Sequence, residues 1–153
     1  MSLEFFPLVI DESTGLHYYN VPVGAKIYRG DTDAYLNVQK MTYFAHNTQI
    51  ANVYGVPATY STTRELRLLA LDKVENYVIF DTIDDAQFKK ALKSSFNNGR
   101  SRDSDARSDK IVARKICELG YDGYATNEMP ESGFDDDISE GTFHAELMIC
   151  NAD

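Results

Sequence analysis

The chain lacks most of the short motifs by which enzymes are recognised from sequence. It contains no GxGxxG or GxxxxGK[ST] phosphate-binding loop, no HExxH zinc motif and no GxSxG nucleophile elbow. Dinucleotide-binding Rossmann enzymes, P-loop nucleotidases, zinc proteases and α/β-hydrolases are therefore not expected. Any catalytic site must be assembled from residues that lie far apart in the sequence.

Cysteine is rare, and long apolar runs and an excess of positive charge are missing. The two cysteines, Cys117 and Cys150, have no CxxC spacing, so we predict two buried thiols and no metal site. No run of 18 apolar residues and no signal-peptide pattern occur, which predicts a soluble cytoplasmic protein without membrane attachment. Lys and Arg number 15 against 24 Asp and Glu, a net charge of −9, so nucleic acid is an unfavourable partner.

The length and composition are typical of one folded domain. The 153 residues are 43% hydrophobic with only 9 Gly and 4 Pro, which allows a real core. Hydrophobic periodicity and turn residues predict short elements. The predicted strands are 25–30, 41–45, 59–72, 121–126 and 143–150, and the predicted helices are 47–55, 83–96 and 108–120. We therefore predict a single α+β domain over residues 1–153, predominantly sheet.

Glu146 interrupts an apolar strand pattern, FHAELMIC at residues 143–150. Alternation along a strand places Glu146 on the same face as His144 and Met148, opposite Leu147. A carboxylate in mid-strand either faces open solvent or lines a cleft, where burial and partners tune its charge. Glu146 is therefore a candidate catalytic residue, with an exposed structural position as the alternative.

Two tyrosines, Tyr43 and Tyr54, have ten residues between them across a predicted strand-to-helix corner. A cationic ring held between two aromatic faces gains stacking and cation–π energy, about 0.5–2 kcal/mol per contact. The pair is therefore a candidate clamp for a flat cationic ligand. Packing of both tyrosines in the core is the alternative.

Together with IYRG at residues 27–30, these features resemble the ADP-ribosyltransferase family, which includes diphtheria-toxin-like and poly-ADP-ribose-polymerase-like enzymes. IYRG is similar to the first-strand motif of arginine-directed transferases, the tyrosine pair to that of the toxin-like branch, and Glu146 to the glutamate of the late strand. LGYDGY at 119–124 is similar to the segment before that strand in phage and large-virus relatives. The resemblance covers about residues 25–150 and implies a predominantly antiparallel split sheet with flanking short helices.

The resemblance implies that NAD is the substrate and that its nicotinamide–ribose bond is cleaved. Glu146 would stabilise the developing positive charge on the ribose, while Tyr43 and Tyr54 would stack on the nicotinamide. Arg29 would be a planar donor to the cofactor, and Gly30 would let the backbone approach the carboxamide. The predicted cofactor-binding residues are Arg29, Gly30, Tyr43, Tyr54 and His144, and the predicted catalytic residue is Glu146.

The sequence thus predicts a mono-ADP-ribosyltransferase or NAD glycohydrolase, with a protein as a possible acceptor. Arginine is not the expected acceptor, because His144 stands where arginine-directed transferases carry a second glutamate. One alternative is a catalytically silent domain of the same fold that binds a protein partner through the acidic loop 127–141. Another is a glycosidase that pairs Glu146 with Asp122 or with a carboxylate of residues 135–137.

Overall fold

Short strands, interrupted by turns, and three helices make up the fold. In this computed structural model the described residues are 6–31, 40–45, 56–97, 100–101, 106–128 and 144–151. Their strands are β1 Leu8–Ile10, β2 His17–Val21, β3 Lys26–Asp31, β4 Lys40–Ala45, β5 Val56–Ser61, β6 Leu66–Ala70, β7 Phe96–Asn97, β8 Arg100–Ser101, β9 Gly123–Glu128 and β10 His144–Asn151. Their helices are α1 Val74–Phe80, α2 Ala86–Ser95 and α3 Ala106–Glu118.

The strands form one hydrogen-bonded sheet in an α+β fold. Its main path runs β1-β2-β6-β9-β10-β4-β3-β5, with β7 paired to β8 and β8 paired to β9. The β6–β9 and β8–β9 pairs are parallel, whereas the other strand pairs of the described residues are antiparallel. Among the described residues a single pair, Tyr28 opposite Ala45, connects β3 with β4, and every other pair of neighbouring strands on the path shares at least three.

Apolar side chains pack on both faces of the sheet, and β6 shows the reason. Leu68 belongs to one buried cluster and Leu69 to the other, because successive strand residues point to opposite faces. We call the cluster that contains residues of α2 and α3 the helix-side core, and the other the inner core. Tyr19 of β2 and Ile27 of β3 are far apart in the strand order yet share the inner core, so the sheet curves around it.

The predicted helix over 83–96 is confirmed as α2. Asp85 caps its first turn by accepting a hydrogen bond from the Phe88 backbone N–H at 3.0 Å, as expected for an N-cap aspartate. Lys115 of α3 lies 3.0 Å from the same carboxylate, which ties the two helices together. The helix predicted over 108–120 is α3, which ends at Glu118 and leaves Leu119 39% exposed.

The predicted strand over 59–72 is two strands that are not neighbours in the sheet. β5 pairs with β3, while β6 pairs with β2 and β9. The break falls at Thr62, whose hydroxyl donates to the Pro22 carbonyl at 2.7 Å and accepts from the Ala25 backbone N–H at 3.0 Å. These bonds hold the chain in a turn, which the alternating pattern alone does not reveal.

Two further predicted segments have different outcomes. The predicted helix over 47–55 lies outside the described residues. Of the predicted acidic loop 127–141, Asn127 and Glu128 belong to β9, and the remainder lies outside the described residues. Helix α1 was not predicted from the sequence, and its N-cap, Lys73, makes no capping hydrogen bond through its side chain.

Cys117 and Cys150 form a disulfide, with an S–S distance of 2.04 Å. The prediction of two buried thiols is therefore wrong. The bond forms because α3 packs against β10, a contact that the 33-residue separation does not encode. Disulfides persist mainly in oxidising compartments, so the cysteines no longer support the predicted cytoplasmic location. Separately, no described helix is long and apolar enough to cross a membrane.

Candidate active site

Glu146 lies on β10 in the interior of the sheet. It is opposite Thr126 of β9 on one side and Ala45 of β4 on the other. Leu147 belongs to the inner core and Met148 to the helix-side core, which confirms the predicted alternation and places Glu146 on the helix-side face. Glu146 is only partly buried, whereas residues 147–150 are buried. Glu146 thus lies at the edge of the packed core, and part of its surface is accessible to solvent.

A row of residues crosses four strands through Glu146. Tyr28 of β3, Ala45 of β4, Glu146 of β10 and Thr126 of β9 follow one another in register. Directly opposite residues share a face of the sheet, so Tyr28 lies on the face of Glu146, two strands away. With strands spaced about 4.8 Å apart, the Cα atoms of this pair are about 10 Å apart.

Two of the predicted site residues occupy positions on the same face. Tyr43 is opposite Met148, so its position is diagonal to Glu146 on the neighbouring strand. His144 is two residues before Glu146 on β10 and opposite Glu128. The backbone register thus brings the positions of Tyr43, His144 and Glu146 together.

Arg29 is not brought to this place. Arg29 follows Tyr28 on β3 and alternates with it, so it lies on the face of Ile27, which is buried in the inner core. The predicted cleft shared by Arg29 and Glu146 disagrees with this register. Gly30 lies on β3, the strand next to β4, and alternation places it on the same face as Tyr28. On the other side of β3 it is opposite Pro57 of β5. Tyr54 lies outside the described residues.

Comparisons with protein-family models, with curated proteins and with solved structures found no match. The resemblance to ADP-ribosyltransferases therefore depends on the residues of this chain alone.

Sequence reasoning missed two residues of the row, Tyr28 and Thr126. Thr126 is fully buried and directly opposite Glu146, at the end of the predicted strand 121–126. Tyr28 is part of the IYRG motif, in which the resemblance assigns roles to Arg29 and Gly30 and none to the tyrosine. The signal that identifies both residues is the strand register, which depends on contacts between segments far apart in the sequence.

A different pair of tyrosines in the described residues does hold a cation. The Arg67 guanidinium carbon lies 4.6 Å from the ring centroid of Tyr18 and 5.0 Å from that of Tyr121. Its Nη2 is 3.0 Å from Asp11 Oδ2, which also accepts a 2.8 Å hydrogen bond from the Tyr121 hydroxyl. The space between these rings is thus occupied by the protein's own arginine, so this cluster is a structural clamp between β2, β6 and the start of β9.

Asp11 is held in its charged form within this clamp. Hydrogen bonds from the Ser13 side chain, the Tyr121 hydroxyl and the Ser13 backbone N–H, together with the Arg67 charge, lower the pKa of Asp11 to about 2. Burial raises the pKa of Tyr121, and its hydrogen bond to Asp11 adds to that rise. The phenol therefore stays protonated and keeps donating to the carboxylate.

Asp72 has a buried carboxyl group that lies beside Tyr19 of the inner core. Its side chain is 4% exposed, its Oδ2 accepts a 2.7 Å hydrogen bond from the Tyr19 hydroxyl, and its buried Oδ1 has no hydrogen-bond partner in the described part of the chain. Burial is the main cause that raises the pKa of Asp72. Parallel pairing of Ala70 with Ala125 puts Asp72 near the same end of the sheet as Glu146, but on the opposite face.

Within the described ranges, no group of three or more His, Cys, Asp and Glu residues could hold a metal ion. A carboxylate on this face can stabilise a developing positive charge or accept a proton. The half-buried ring of Tyr28 is a flat surface of the kind that binds a planar ring.

Proposed function

We propose that the chain cleaves the nicotinamide–ribose bond of NAD, as a mono-ADP-ribosyltransferase or an NAD glycohydrolase, with Glu146 as the catalytic residue. The observation that carries the proposal is the setting of Glu146: a partly buried carboxylate in the sheet interior, on one face with the positions of Tyr28 and Tyr43. An isolated surface glutamate on an edge strand would not offer this surrounding.

The chemistry fits a single carboxylate. Departure of neutral nicotinamide leaves a ribosyl group with oxocarbenium character, and a nearby negative charge stabilises that state more than the ground state. Partial burial strengthens the interaction, because the effective dielectric constant is lower than in water. The ribosyl carbon then bonds to water or to a nucleophilic group of an acceptor, which releases a proton. Water gives the glycohydrolase reaction, and a protein side chain gives the transferase reaction.

The finer fold proposal is an ADP-ribosyltransferase-like arrangement with a split in the sheet. It is supported by the single pair that joins β3 and β4, whereas β10 and β4 share five residue pairs. A narrow connection at Tyr28 lets β3 diverge from β4 beside the face that carries Glu146. Such a divergence would open room for a ligand between the two strands.

The test is nicotinamide release from NAD by wild type and by Glu146→Gln, measured by chromatography. Glutamine keeps the shape and can still bond a hydroxyl, but it removes the charge that matters as the ribose becomes cationic. We expect at least about a 100-fold lower rate, the cost of losing one electrostatic stabiliser of a transition state. Glu118→Gln is the matched control, since Glu118 is exposed at the end of α3.

NAD binding, followed by nuclear magnetic resonance, separates this proposal from its alternatives. We expect NAD to shift resonances on β4 and β10 in both wild type and Glu146→Gln. Wild type and Glu146→Gln releasing nicotinamide equally fast would contradict a catalytic role for Glu146. NAD binding without any nicotinamide release would instead favour a catalytically silent domain.

A further inference from the structure

The helix layer formed by α2 and α3 is basic in an otherwise acidic protein. Residues 86–118 contain nine of the 15 Lys and Arg residues but four of the 24 Asp and Glu residues. This segment has a formal charge of +5, and the rest of the chain has −14. The overall charge of −9 therefore conceals two regions of opposite sign.

A groove of about 410 Å³ lies between α2 and the outer face of α3. Its lining residues are Gln87, Arg107, Lys110, Ile111 and Arg114. On the opposite side of α3, Val112 and Ile116 are fully buried in the helix-side core, so the groove faces away from the sheet. The three cations are exposed and follow one another along the helix with rises of about 4.5 and 6 Å.

The three cations form no ion pair with a carboxylate of the described residues. Within the described ranges no carboxylate forms an ion pair with Arg107, Lys110 or Arg114, whereas Lys115 of the same helix is paired with Asp85. Like charges three and four residues apart on a helix repel each other. An anionic partner in the groove would reduce that repulsion.

We propose that this groove binds an acidic segment of a partner protein. Alternate side chains of an extended peptide lie on one side about 6.6 Å apart, close to the rise of about 6 Å between Lys110 and Arg114 along α3. The guanidinium groups of Arg107 and Arg114 can each bind a carboxylate through two parallel hydrogen bonds. Ile111 offers an apolar surface, and the Gln87 amide can both donate to and accept from a peptide backbone.

Nucleic acid fits the groove less well. No aromatic residue lines it, so it offers no surface on which bases could stack. A long phosphate backbone would also meet the negative charge of the remaining chain, whereas a short acidic segment engages the basic groove alone.

The proposal is tested by fluorescence anisotropy with a labelled nine-residue peptide of alternating Glu and Ser at low salt and without NAD. Arg107→Gln/Arg114→Gln should weaken binding at least about 10-fold, because two charge-assisted contacts are lost. Lys26→Gln/Lys90→Gln removes the same charge at exposed positions outside the groove, and it should change the affinity less than about 2-fold. Circular dichroism checks that each variant is folded, and Lys110→Glu is a second groove variant.

Three results would overturn the proposal. The first is equal peptide affinity in the groove variants and in Lys26→Gln/Lys90→Gln, which would mean that only the net charge matters. The second is an oligothymidylate of equal charge that binds as tightly as the peptide and is lost in the same groove variants. The peptide with Gln in place of Glu should not bind, and its binding would also contradict an acidic partner. Because the assay contains no NAD, its result is independent of the role of Glu146.

Discussion

At the scale of single residues, the environments of three aspartates shift their pKa values in different directions. Hydrogen bonds led by those of Ser13 lower the pKa of Asp11 to about 2. The Phe88 backbone N–H and then Lys115 lower the pKa of Asp85. Burial raises the pKa of Asp72. Protonation at low pH therefore weakens the interactions of Asp11 and Asp85. At Asp72 it removes the free-energy cost of burying a charged carboxylate.

The first prediction concerns the pH dependence of stability. The folded pKa of Asp11 lies below the unfolded value of 3.8, so its contribution is present above pH 3.8 and is lost as pH falls towards about 2. The folded pKa of Asp72 lies above the same unfolded value, so its cost grows as pH rises through the folded pKa. Urea unfolding of wild type, Asp11→Asn and Asp72→Asn as a function of pH measures both effects.

The two variants should differ from wild type in opposite ways. The stability deficit of Asp11→Asn should shrink as pH falls from about 4 to about 2, because wild type then loses the same interaction. Asp72→Asn should gain stability relative to wild type as pH rises from about 4 to neutrality. If the stability of wild type and Asp72→Asn changed in parallel over that range, the raised pKa of Asp72 would be contradicted.

A second residue-scale prediction concerns Gly123, where β9 begins. A Cβ at this position would overlap the backbone carbonyl oxygen of Met148 on β10, so the two strands can approach only because the residue is glycine. Gly123→Ala should reduce the free energy of unfolding by about 3 kcal/mol or more, since backbone atoms must move. Urea unfolding measures the loss.

Gly24→Ala is the matched control for that change. Gly24 also has a positive φ, +81°, but a Cβ there would meet no atom within 4 Å. We expect a cost of about 1–2 kcal/mol from backbone strain alone. Equal losses in the two variants would mean that conformation, not strand approach, requires the glycine at position 123.

At the scale of elements, the disulfide fixes α3 on the strand that carries Glu146. Cys117 and Cys150 are separated by 33 residues, and closing a loop of that length restricts the unfolded chain. Reduction, or the double variant Cys117→Ser/Cys150→Ser, should lower stability by roughly 3–4 kcal/mol. Thermal unfolding with and without reductant measures the effect. Reductant should not change the thermal stability of the double serine variant. If wild type kept its thermal stability after both thiols were freed, the prediction would be contradicted.

Local patterns predicted the elements whose structure depends on local interactions. The N-cap of α2 at Asp85 and the alternation around Glu146 follow from side-chain chemistry and from the strand period of two residues. The turn at Thr62 and the disulfide depend on contacts with segments far away in the chain. Neither could be deduced from residues adjacent in sequence.

The same distinction explains the candidate site. The face of Glu146 on its own strand follows from alternation, and the packing of Leu147 and Met148 confirms it. The face of Arg29 relative to Glu146 depends on the register through β4, which is set by the pair Tyr28–Ala45. A shift of one residue in that register would exchange Tyr28 and Arg29, and the sequence contains no local signal that decides between them.

At the scale of the whole molecule, the two proposals use different elements and charges of opposite sign. The proposed cleavage site is on β10 and its neighbouring strands, and the proposed docking groove is on the outer side of α2 and α3. Arg107→Gln/Arg114→Gln is therefore expected to leave nicotinamide release unchanged. Glu146→Gln is expected to leave peptide binding unchanged.

The last prediction is that added salt acts oppositely on the two activities. NAD is an anion that approaches a chain of net charge −9, so screening by salt should maintain or raise kcat/KM for nicotinamide release between about 20 and 300 mM NaCl. The acidic peptide is attracted to three exposed cations, so its affinity should fall at least about 10-fold over the same range. Measuring both with one preparation of wild type provides the comparison. In Arg107→Gln/Arg114→Gln, peptide binding should be weaker and less dependent on salt, whereas nicotinamide release should respond to salt as in wild type. A parallel fall of both quantities would indicate that the basic groove also attracts NAD, and the separation of the two sites would then be wrong.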